Sequence, residues 1–141
     1  MRYYLDTNIL AFLFSGNENQ ILESVLDVIF DYESTLLVSS MSVIELTHII
    51  QTGKLNNERK KFAPNAKDLL PWLEERGIKI QQVSEKNIET LASLPLHGEH
   101  RDPWDRMIIA QAISDKIPLI SSDLSFRFYE QDGLKLIFNK R

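Results

Sequence analysis

The chain has 141 residues, the length of one ordinary domain and too few for two comfortable ones. Its 43% hydrophobic and 26% charged residues are close to the average of globular chains, which argues against a disordered or low-complexity protein. It contains no cysteine, so disulfide scaffolds, thiolate metal sites and cysteine nucleophiles are excluded. The net charge of −4 argues against passive binding to a nucleic-acid backbone, which would require a local basic patch, bridging metal ions or both.

No segment has the character of a membrane span or a signal peptide. The longest apolar runs, such as residues 107–110, are far shorter than the roughly 18 residues that cross a membrane. A carboxylate stands at Asp6, where a signal peptide would be apolar. We therefore expect a cytoplasmic protein with no membrane partner.

Strand and helix patterns alternate along the chain. Short apolar segments predict five strands, at residues 3–5, 36–38, 78–80, 119–120 and 134–138. Helical patterns predict five helices, at about residues 19–33, 40–52, 66–76, 84–93 and 103–115. This alternation predicts βαβ units, a parallel sheet and a single α/β domain that spans residues 1–141.

Local signals mark the ends of several predicted helices. Gly53 ends the second helix, and Gly77 is placed as a C-cap of the third, within which Pro71 is a possible kink. Ser84 suits an N-cap. The polar stretch 54–65, with the basic cluster 59–61, predicts an exposed loop or the tip of a helical hairpin, and a solvated surface run is its simplest explanation.

Two acidic residues follow predicted strands. In an open parallel α/β sheet, ligands bind at the carboxyl ends of the strands. Asp6 ends the first strand and Asp123 follows the fourth. Each also has a simpler explanation, because Asp commonly caps the helix that follows a strand.

A third carboxylate, Glu45, interrupts an apolar helical stripe. Its neighbours at i−4 and i+4 are Met41 and Ile49, so Glu45 continues the apolar face. A buried carboxylate without a partner costs several kcal/mol, so a metal ion, an arginine or a lysine should neutralise it. The alternative is that this helix face is exposed.

The segment 99–112 contains the fourth candidate. Pro103 suits the first turn of a helix, which makes Asp102 the natural N-cap. Asp105 then lies at the third helical position, and the residues at i+3, i+4 and i+7 from it are Ile108, Ile109 and Ala112. We therefore expect Asp105 to point toward the strand ends on the packed face of the helix.

Four carboxylates around one pocket would repel each other, and proteins usually neutralise such a cluster with divalent cations. Their oxygen donors select hard cations such as Mg²⁺ or Mn²⁺. The three histidines, at positions 48, 97 and 100, are too scattered for an obvious zinc cluster. Because carboxylate-held Mg²⁺ typically promotes hydrolysis of phosphate esters, the predicted chemistry is the cleavage of a phosphodiester.

Four segments combine into a more specific pattern: Leu5-Asp6-Thr7-Asn8-Ile9-Leu10, Ser42-Val43-Ile44-Glu45-Leu46, residues 100–112 (HRDPWDRMIIAQA) and Leu119-Ile120-Ser121-Ser122-Asp123. Each segment alone is a weak signal. In this order and at this spacing, they resemble a PIN domain, and more closely the ribonuclease toxins of VapC type from prokaryotic toxin–antitoxin pairs. The resemblance spans most of the chain, and none of the family's acidic positions is missing.

The resemblance implies a three-layer α/β/α fold with a central parallel β-sheet. It implies that Asp6, Glu45, Asp105 and Asp123 line a metal site and that the enzyme cuts single-stranded or loop RNA, with tRNA and rRNA among the candidates. It also implies a homodimer and a cognate VapB-like antitoxin that inserts a segment near the acidic pocket. Further residues of the matching segments would support the site: Thr7, Asn8, Ser121, Asp102 and Arg106.

Individual roles follow as expectations. Asp6 and Asp105 are expected as direct ligands, while Glu45 and Asp123 complete the site, bind through water or hold a second ion. Repulsion between the acids should keep one carboxylate ready to accept a proton. Asp102 is expected to act as a cap and not as a principal ligand.

Basic and aromatic residues near the third segment have less definite roles. We expect Arg106 to pair with an acid, with a phosphate contact as the alternative. Local positive charge is expected from Arg101, His100 and Arg127. For Trp104, packing is favoured over the stacking of a base.

Three other functions compete with an RNA-cleaving toxin. A nuclease of the same fold would act in RNA processing or repair, and the absence of a neighbouring antitoxin gene would distinguish it. A non-catalytic PIN-fold interaction module would lack metal affinity. A phosphoacceptor signalling domain would need adjacent acids near the first strand and a lysine after a later one, and neither is present where it should be.

Overall fold

The computed structural model describes residues 1–55 and 63–141, so the basic cluster 59–61 lies outside the described residues. The strands in these residues are β1 (Arg2–Leu5), β2 (Thr35–Ser39), β3 (Lys79–Gln81), β4 (Leu119–Ser121) and β5 (Leu136–Phe138). They are parallel and form one sheet in the order β3-β2-β1-β4-β5. The predicted α/β fold with a parallel sheet is confirmed.

Helices cover both faces of this sheet. They are α1 (Thr7–Phe14), α2 (Glu23–Phe30), α3 (Ser40–Gln51), α4 (Leu69–Glu75), α5 (Glu85–Ser93) and α6 (Pro103–Asp115). Successive strand residues point to opposite faces. Accordingly, Leu5 packs in a hydrophobic cluster with α1–α4, whereas Tyr4 packs in a second cluster with α5 and α6. The two clusters make the three-layer α/β/α arrangement.

The sheet reverses its order of winding next to β1. The chain moves outward from β1 through β2 to β3 on one side, and then returns to place β4 and β5 on the other side. In open α/β sheets, the crevice at such a switch point is where ligands bind. The carboxyl ends of β1 and β4 therefore mark the expected site.

Three element predictions were wrong or incomplete. Residues 7–14 form α1, which the sequence patterns did not identify. The predicted helix 19–33 is a 3₁₀ turn at Glu18–Gln20 followed by the shorter α2. Residues after Asp123 form a 3₁₀ segment, Leu124–Asp132, that was also not predicted.

The capping predictions were largely correct. Gly53 and Gly77 have φ of 77° and 69° directly after the last turns of α3 and α4. Ser84 caps α5 in a reciprocal capping box with Asn87. Pro71 lies in the first turn of α4, where a missing N–H breaks no helical hydrogen bond, so it is placed as a helix-starting residue and not as an interior kink.

Within the described residues, no helix combines the length and the apolar character needed to span a bilayer.

Candidate active site

Asp6 lies between β1 and α1 and is bound through both carboxylate oxygens. Its Oδ1 accepts a hydrogen bond from the backbone N–H of Thr7 at 2.8 Å, and its Oδ2 accepts one from the Ser121 hydroxyl at 2.6 Å. The residue is only 3% exposed. Asp6 therefore caps α1, as the simpler explanation held, and is also fixed at the sheet edge.

Asp123 occupies the corresponding position after β4. Its Oδ1 accepts hydrogen bonds from the backbone N–H of Ser125 at 2.9 Å and from the Ser125 hydroxyl at 2.6 Å. The backbone N–H of Asp123 donates to the Ser121 hydroxyl at 3.0 Å. Because that hydroxyl donates to Asp6, Ser121 joins the ends of β1 and β4.

Asp105 reaches the same place from the first turn of α6. Asp102 caps this helix, since its Oδ1 accepts from the backbone N–H groups of Trp104 at 2.8 Å and Asp105 at 3.3 Å. Pro103 occupies the start of the helix, as predicted. The side chain of Asp105 is 22% exposed, on the side of the helix that faces the strand ends.

All four predicted carboxylates line one pocket of about 360 Å³. Glu45 reaches it from α3 and is half-buried, so its helix face is neither fully packed nor fully exposed. Thr7 and Asn8 also line the pocket, and Asn8 accepts from the Ser122 backbone N–H at 3.4 Å. The remaining lining residues are Ala11, Phe12, Ser15, Asn17, Ile49, Leu55 and Arg141.

The acids strongly affect each other's protonation. Burial is the largest cause that raises the pKa of Asp6 to about 7, with the charges of Glu45 and Asp123 adding to it, while hydrogen bonds from Ser121 and Thr7 lower it. Burial also raises the pKa of Asp105 to about 8, and the neighbouring acids, Asp6 first, raise it further. The expected repulsion is present, but loss of water is the larger effect.

His100 is part of this site, which the spacing of the histidines did not predict. Its Nε2 lies 3.3 Å from Asp105 Oδ2, and candidate ligand atoms of His100, Asp105 and Asp123 all lie within 4.8 Å of one another. The rings of His97 and His100 both pack against Tyr129. Among the described residues, the candidate ligand group contains one histidine and two aspartates, so the expectation that the three histidines form no zinc cluster is not contradicted.

Local positive charge does not come from His100 or Arg127. Burial is the main cause that lowers the pKa of His100, which makes the ring neutral at physiological pH. Arg127 is exposed, contacts Glu130 at 3.2 Å and lies over the ring of Phe138. Arg101 is exposed and, like Trp104, is not among the residues that line the pocket, whereas Arg141 lines it.

Among the residues that the structure describes, Arg106 pairs with no acid, so the expected pairing is not found there. Its guanidinium donates to the backbone carbonyls of Leu94 and Pro95, both at 2.9 Å, and to the Tyr129 hydroxyl at 3.3 Å. Consecutive residues of an α-helix point about 100° apart, so the residue after Asp105 faces a different neighbour. Arg106 is 8% exposed and ties α6 to the segment that precedes it.

The residues present fit a hard divalent cation. Thr7 is 5% exposed, and its Oγ1 has no hydrogen-bond partner among the described residues. A buried hydroxyl oxygen without a partner is costly and suggests a ligand or a water molecule in the pocket. Together with four carboxylates, it provides the oxygen-rich set that Mg²⁺ and Mn²⁺ prefer.

The sequence from residue 3 to residue 131 matches the model of the PIN domain. The chain belongs to the PIN-domain family. This match and the three-layer α/β/α arrangement confirm the resemblance to a PIN domain. No curated protein sequence matches this PIN domain.

Solved structures share the fold of this PIN domain at low sequence identity. One chain of the Rickettsia felis VapBC2 complex bound to promoter DNA is 19% identical, with a TM-score of 0.71 and coverage of 99% of this chain and 100% of that one. A chain of VapBC-1 from nontypeable Haemophilus influenzae is 19% identical, with a TM-score of 0.66 and 98% coverage of both chains. A chain of Neisseria gonorrhoeae FitAcB is 21% identical, with a TM-score of 0.62 and coverage of 97% and 96%.

Proposed function

We propose that this PIN domain is a divalent-cation-dependent endoribonuclease, a hydrolase that cleaves phosphodiester bonds of single-stranded or loop RNA. The observation that carries the proposal is the convergence of Asp6, Glu45, Asp105 and Asp123 on one pocket at the switch point of the sheet. These residues come from four separate elements, and helix capping alone would not bring them together. Their shared charge is explained if the pocket holds Mg²⁺ or Mn²⁺.

Asp6 and Asp105 are proposed as direct ligands of the cation. Both are held on rigid elements, and both have a raised pKa, so each would release any proton that it carries when the cation binds. Glu45 and Asp123 complete the site, directly or through water, and Thr7 Oγ1 supplies a further oxygen. A divalent cation in such a site favours the ionisation of water and stabilises charge on phosphate oxygens.

RNA is the proposed substrate, with tRNA and rRNA loops as candidates. The acidic chain would repel a polyanion, so the phosphate must meet positive charge at the site itself. Bound cations supply most of it, and Arg141 at the pocket rim adds more. Single-stranded RNA suits the open pocket because an unpaired backbone can bend toward it.

We further propose that the protein is the cytoplasmic toxin of a toxin–antitoxin pair. Support comes from the fold, which is shared with chains of several VapBC complexes. A VapB-like antitoxin would inhibit it by placing a segment near the acidic pocket. A homodimer is supported by large apolar side chains around α2, since Leu22, Phe30 and Tyr32 are exposed.

RNA cleavage tests the nuclease proposal. Purified wild type is incubated with a mixed pool of structured RNAs and with Mg²⁺, Mn²⁺ or EDTA, beside Asp6→Asn and the exposed control Asp27→Asn. We expect cleavage that requires the cation, survives in Asp27→Asn and falls at least about 100-fold in Asp6→Asn, since the amide removes a charged ligand. Equal cleavage by wild type and Asp6→Asn would contradict the proposal and favour an interaction module.

Induction of the same variants in a bacterial host tests the toxin role. Wild type and Asp27→Asn should arrest growth, and Asp6→Asn should not. Cation-dependent cleavage in vitro without any growth arrest would instead favour a nuclease of RNA processing or repair.

A further inference from the structure

A chain of hydrogen bonds runs from Arg106 to the acidic pocket. Arg106 Nη1 lies 3.3 Å from the Tyr129 hydroxyl, and that hydroxyl lies 2.7 Å from His100 Nδ1. His100 Nε2 lies 3.3 Å from Asp105 Oδ2. Tyr129 is fully buried, so bulk solvent does not reach its side chain.

The donors and acceptors fix the direction of this chain. A guanidinium only donates, so the Tyr129 oxygen accepts from Arg106. The phenolic proton of Tyr129 then has one acceptor among the described residues, which is His100 Nδ1. An imidazole that accepts at Nδ1 carries its proton on Nε2, and this nitrogen faces Asp105.

We propose that His100 is a positioning residue that donates its Nε2–H to Asp105 Oδ2, and that it is not a ligand of the cation. This inference rests on the proposed function, in which Asp105 holds the cation. Binding of the cation by His100 Nε2 would require a free electron pair on that atom and a proton on Nδ1. The buried hydroxyl proton of Tyr129 would then lose its acceptor.

Such a donor would be useful to Asp105. The carboxylate is partly exposed on the first turn of α6, and its Oδ1 has no hydrogen bond from the described residues. A hydrogen bond from His100 to Oδ2 restricts rotation of the Asp105 carboxylate. It therefore also fixes the position of Oδ1, which stays available to the cation. Hydrogen bonds of this type to ligating side chains commonly change metal affinity 10–100-fold.

Nitrogen NMR of the histidine rings tests the chain directly. Full-length ¹⁵N-labelled protein is measured at neutral pH by long-range ¹H–¹⁵N correlation, with and without Mg²⁺, and the signals of His100 are assigned by their loss in His100→Gln. We expect a protonated Nε2 and an unprotonated Nδ1 in both samples. A proton on Nδ1, or loss of the Nε2 proton when Mg²⁺ binds, would overturn the proposal.

Two substitutions of His100 test its two ring nitrogens separately. His100→Gln places an amide N–H near the position of Nε2, whereas His100→Asn places its amide near Nδ1 and does not reach Asp105. Isothermal titration with Mg²⁺ should show affinity within about 3-fold of wild type for Gln and at least about 10-fold weaker for Asn. His48→Asn, an exposed substitution on α3, is the matched control.

The outcomes distinguish this inference from the function on which it rests. If His100→Gln and His100→Asn weaken Mg²⁺ binding equally, or if His100→Asn does not weaken it, the positioning role is overturned in a protein that still binds Mg²⁺. A wild type that binds no Mg²⁺ would overturn the proposed function, and the positioning role with it. If one of the two variants fails to fold, the other still assigns the His100 signals by their loss, and the NMR measurement on wild type then decides the proposal.

Discussion

Single residues at this site have a structural and a chemical role at the same time. Asp6 follows β1, caps α1 and accepts a hydrogen bond from the Ser121 hydroxyl, while the rest of its surroundings is buried and acidic. Its position was predictable because strand ends gather ligands in parallel sheets. Its raised pKa was predictable only in part, since burial depends on how α1, α3 and α6 close around the pocket.

The pKa of Asp6 predicts how pH affects stability in the absence of metal. Its pKa is raised from 3.8 to about 7, so the ionised side chain destabilises the fold as pH rises through this range. Asp6→Asn never ionises, and it should therefore stabilise the metal-free protein by about 2 kcal/mol more at pH 8 than at pH 5. Urea unfolding in EDTA measures this difference.

Two comparisons control for other effects of this substitution. Asp27→Asn, at an exposed position on α2, controls for the Asp-to-Asn change itself at a place outside the pocket. Excess Mg²⁺ at pH 8 should stabilise wild type more than Asp6→Asn, because the ligand binds only the folded site. If Asp6→Asn changed the free energy of unfolding by the same amount at pH 5 and at pH 8, that result would contradict the raised pKa of Asp6.

The neighbours of His100 and Arg106 show where residue-level prediction ends. Both contact Tyr129, which lies more than 20 positions later in a 3₁₀ segment that no periodic pattern indicated. The expected pairing of Arg106 with an acid is not found among the described residues, because consecutive helical residues such as Asp105 and Arg106 point in different directions. Long-range contacts of this kind require the fold.

At the scale of elements, capping signals were more reliable than periodicity. Asp102 and Pro103 begin α6 and thereby set the position of Asp105. By contrast, α1 escaped prediction because it is short and nearly all apolar, with buried residues on several faces: Thr7, Ile9, Leu10, Ala11 and Leu13. A helix without a polar face has no amphipathic stripe to detect.

The cap of α5 gives a prediction that separates stability from function. Ser84→Ala removes the side-chain acceptor for the Asn87 backbone N–H and should reduce the free energy of unfolding by about 1 kcal/mol. No α5 side chain lines the acidic pocket, so the Mg²⁺ affinity should not change. Urea unfolding and Mg²⁺ titration check the two parts, with Ser84→Thr as the cap-preserving control.

A decrease of Mg²⁺ affinity in Ser84→Ala, with no change in Ser84→Thr, would show that α5 does affect the site. That result would contradict the assignment of the pocket to the elements around β1 and β4.

For the whole molecule, the order of the strands explains how distant acids meet. Asp6 and Asp123 are far apart in sequence, but β1 and β4 are adjacent and parallel, so both residues emerge at one edge. The alternation of strands and helices predicted a parallel sheet. It did not specify which strands are neighbours. The four acids could still be grouped from their places after strands and on packed helix faces, and the resemblance to PIN domains supported that grouping before the fold was known.

Anomalous diffraction from crystals soaked in Mn²⁺ shows whether the acidic pocket binds a divalent cation. We predict a manganese peak in this pocket at ligand distance from Asp6 and Asp105, and a weaker or absent peak in Asp6→Asn. Manganese bound only elsewhere, or no peak in this pocket at a Mn²⁺ concentration that stabilises the protein, would contradict the assignment of these carboxylates to a divalent-cation site.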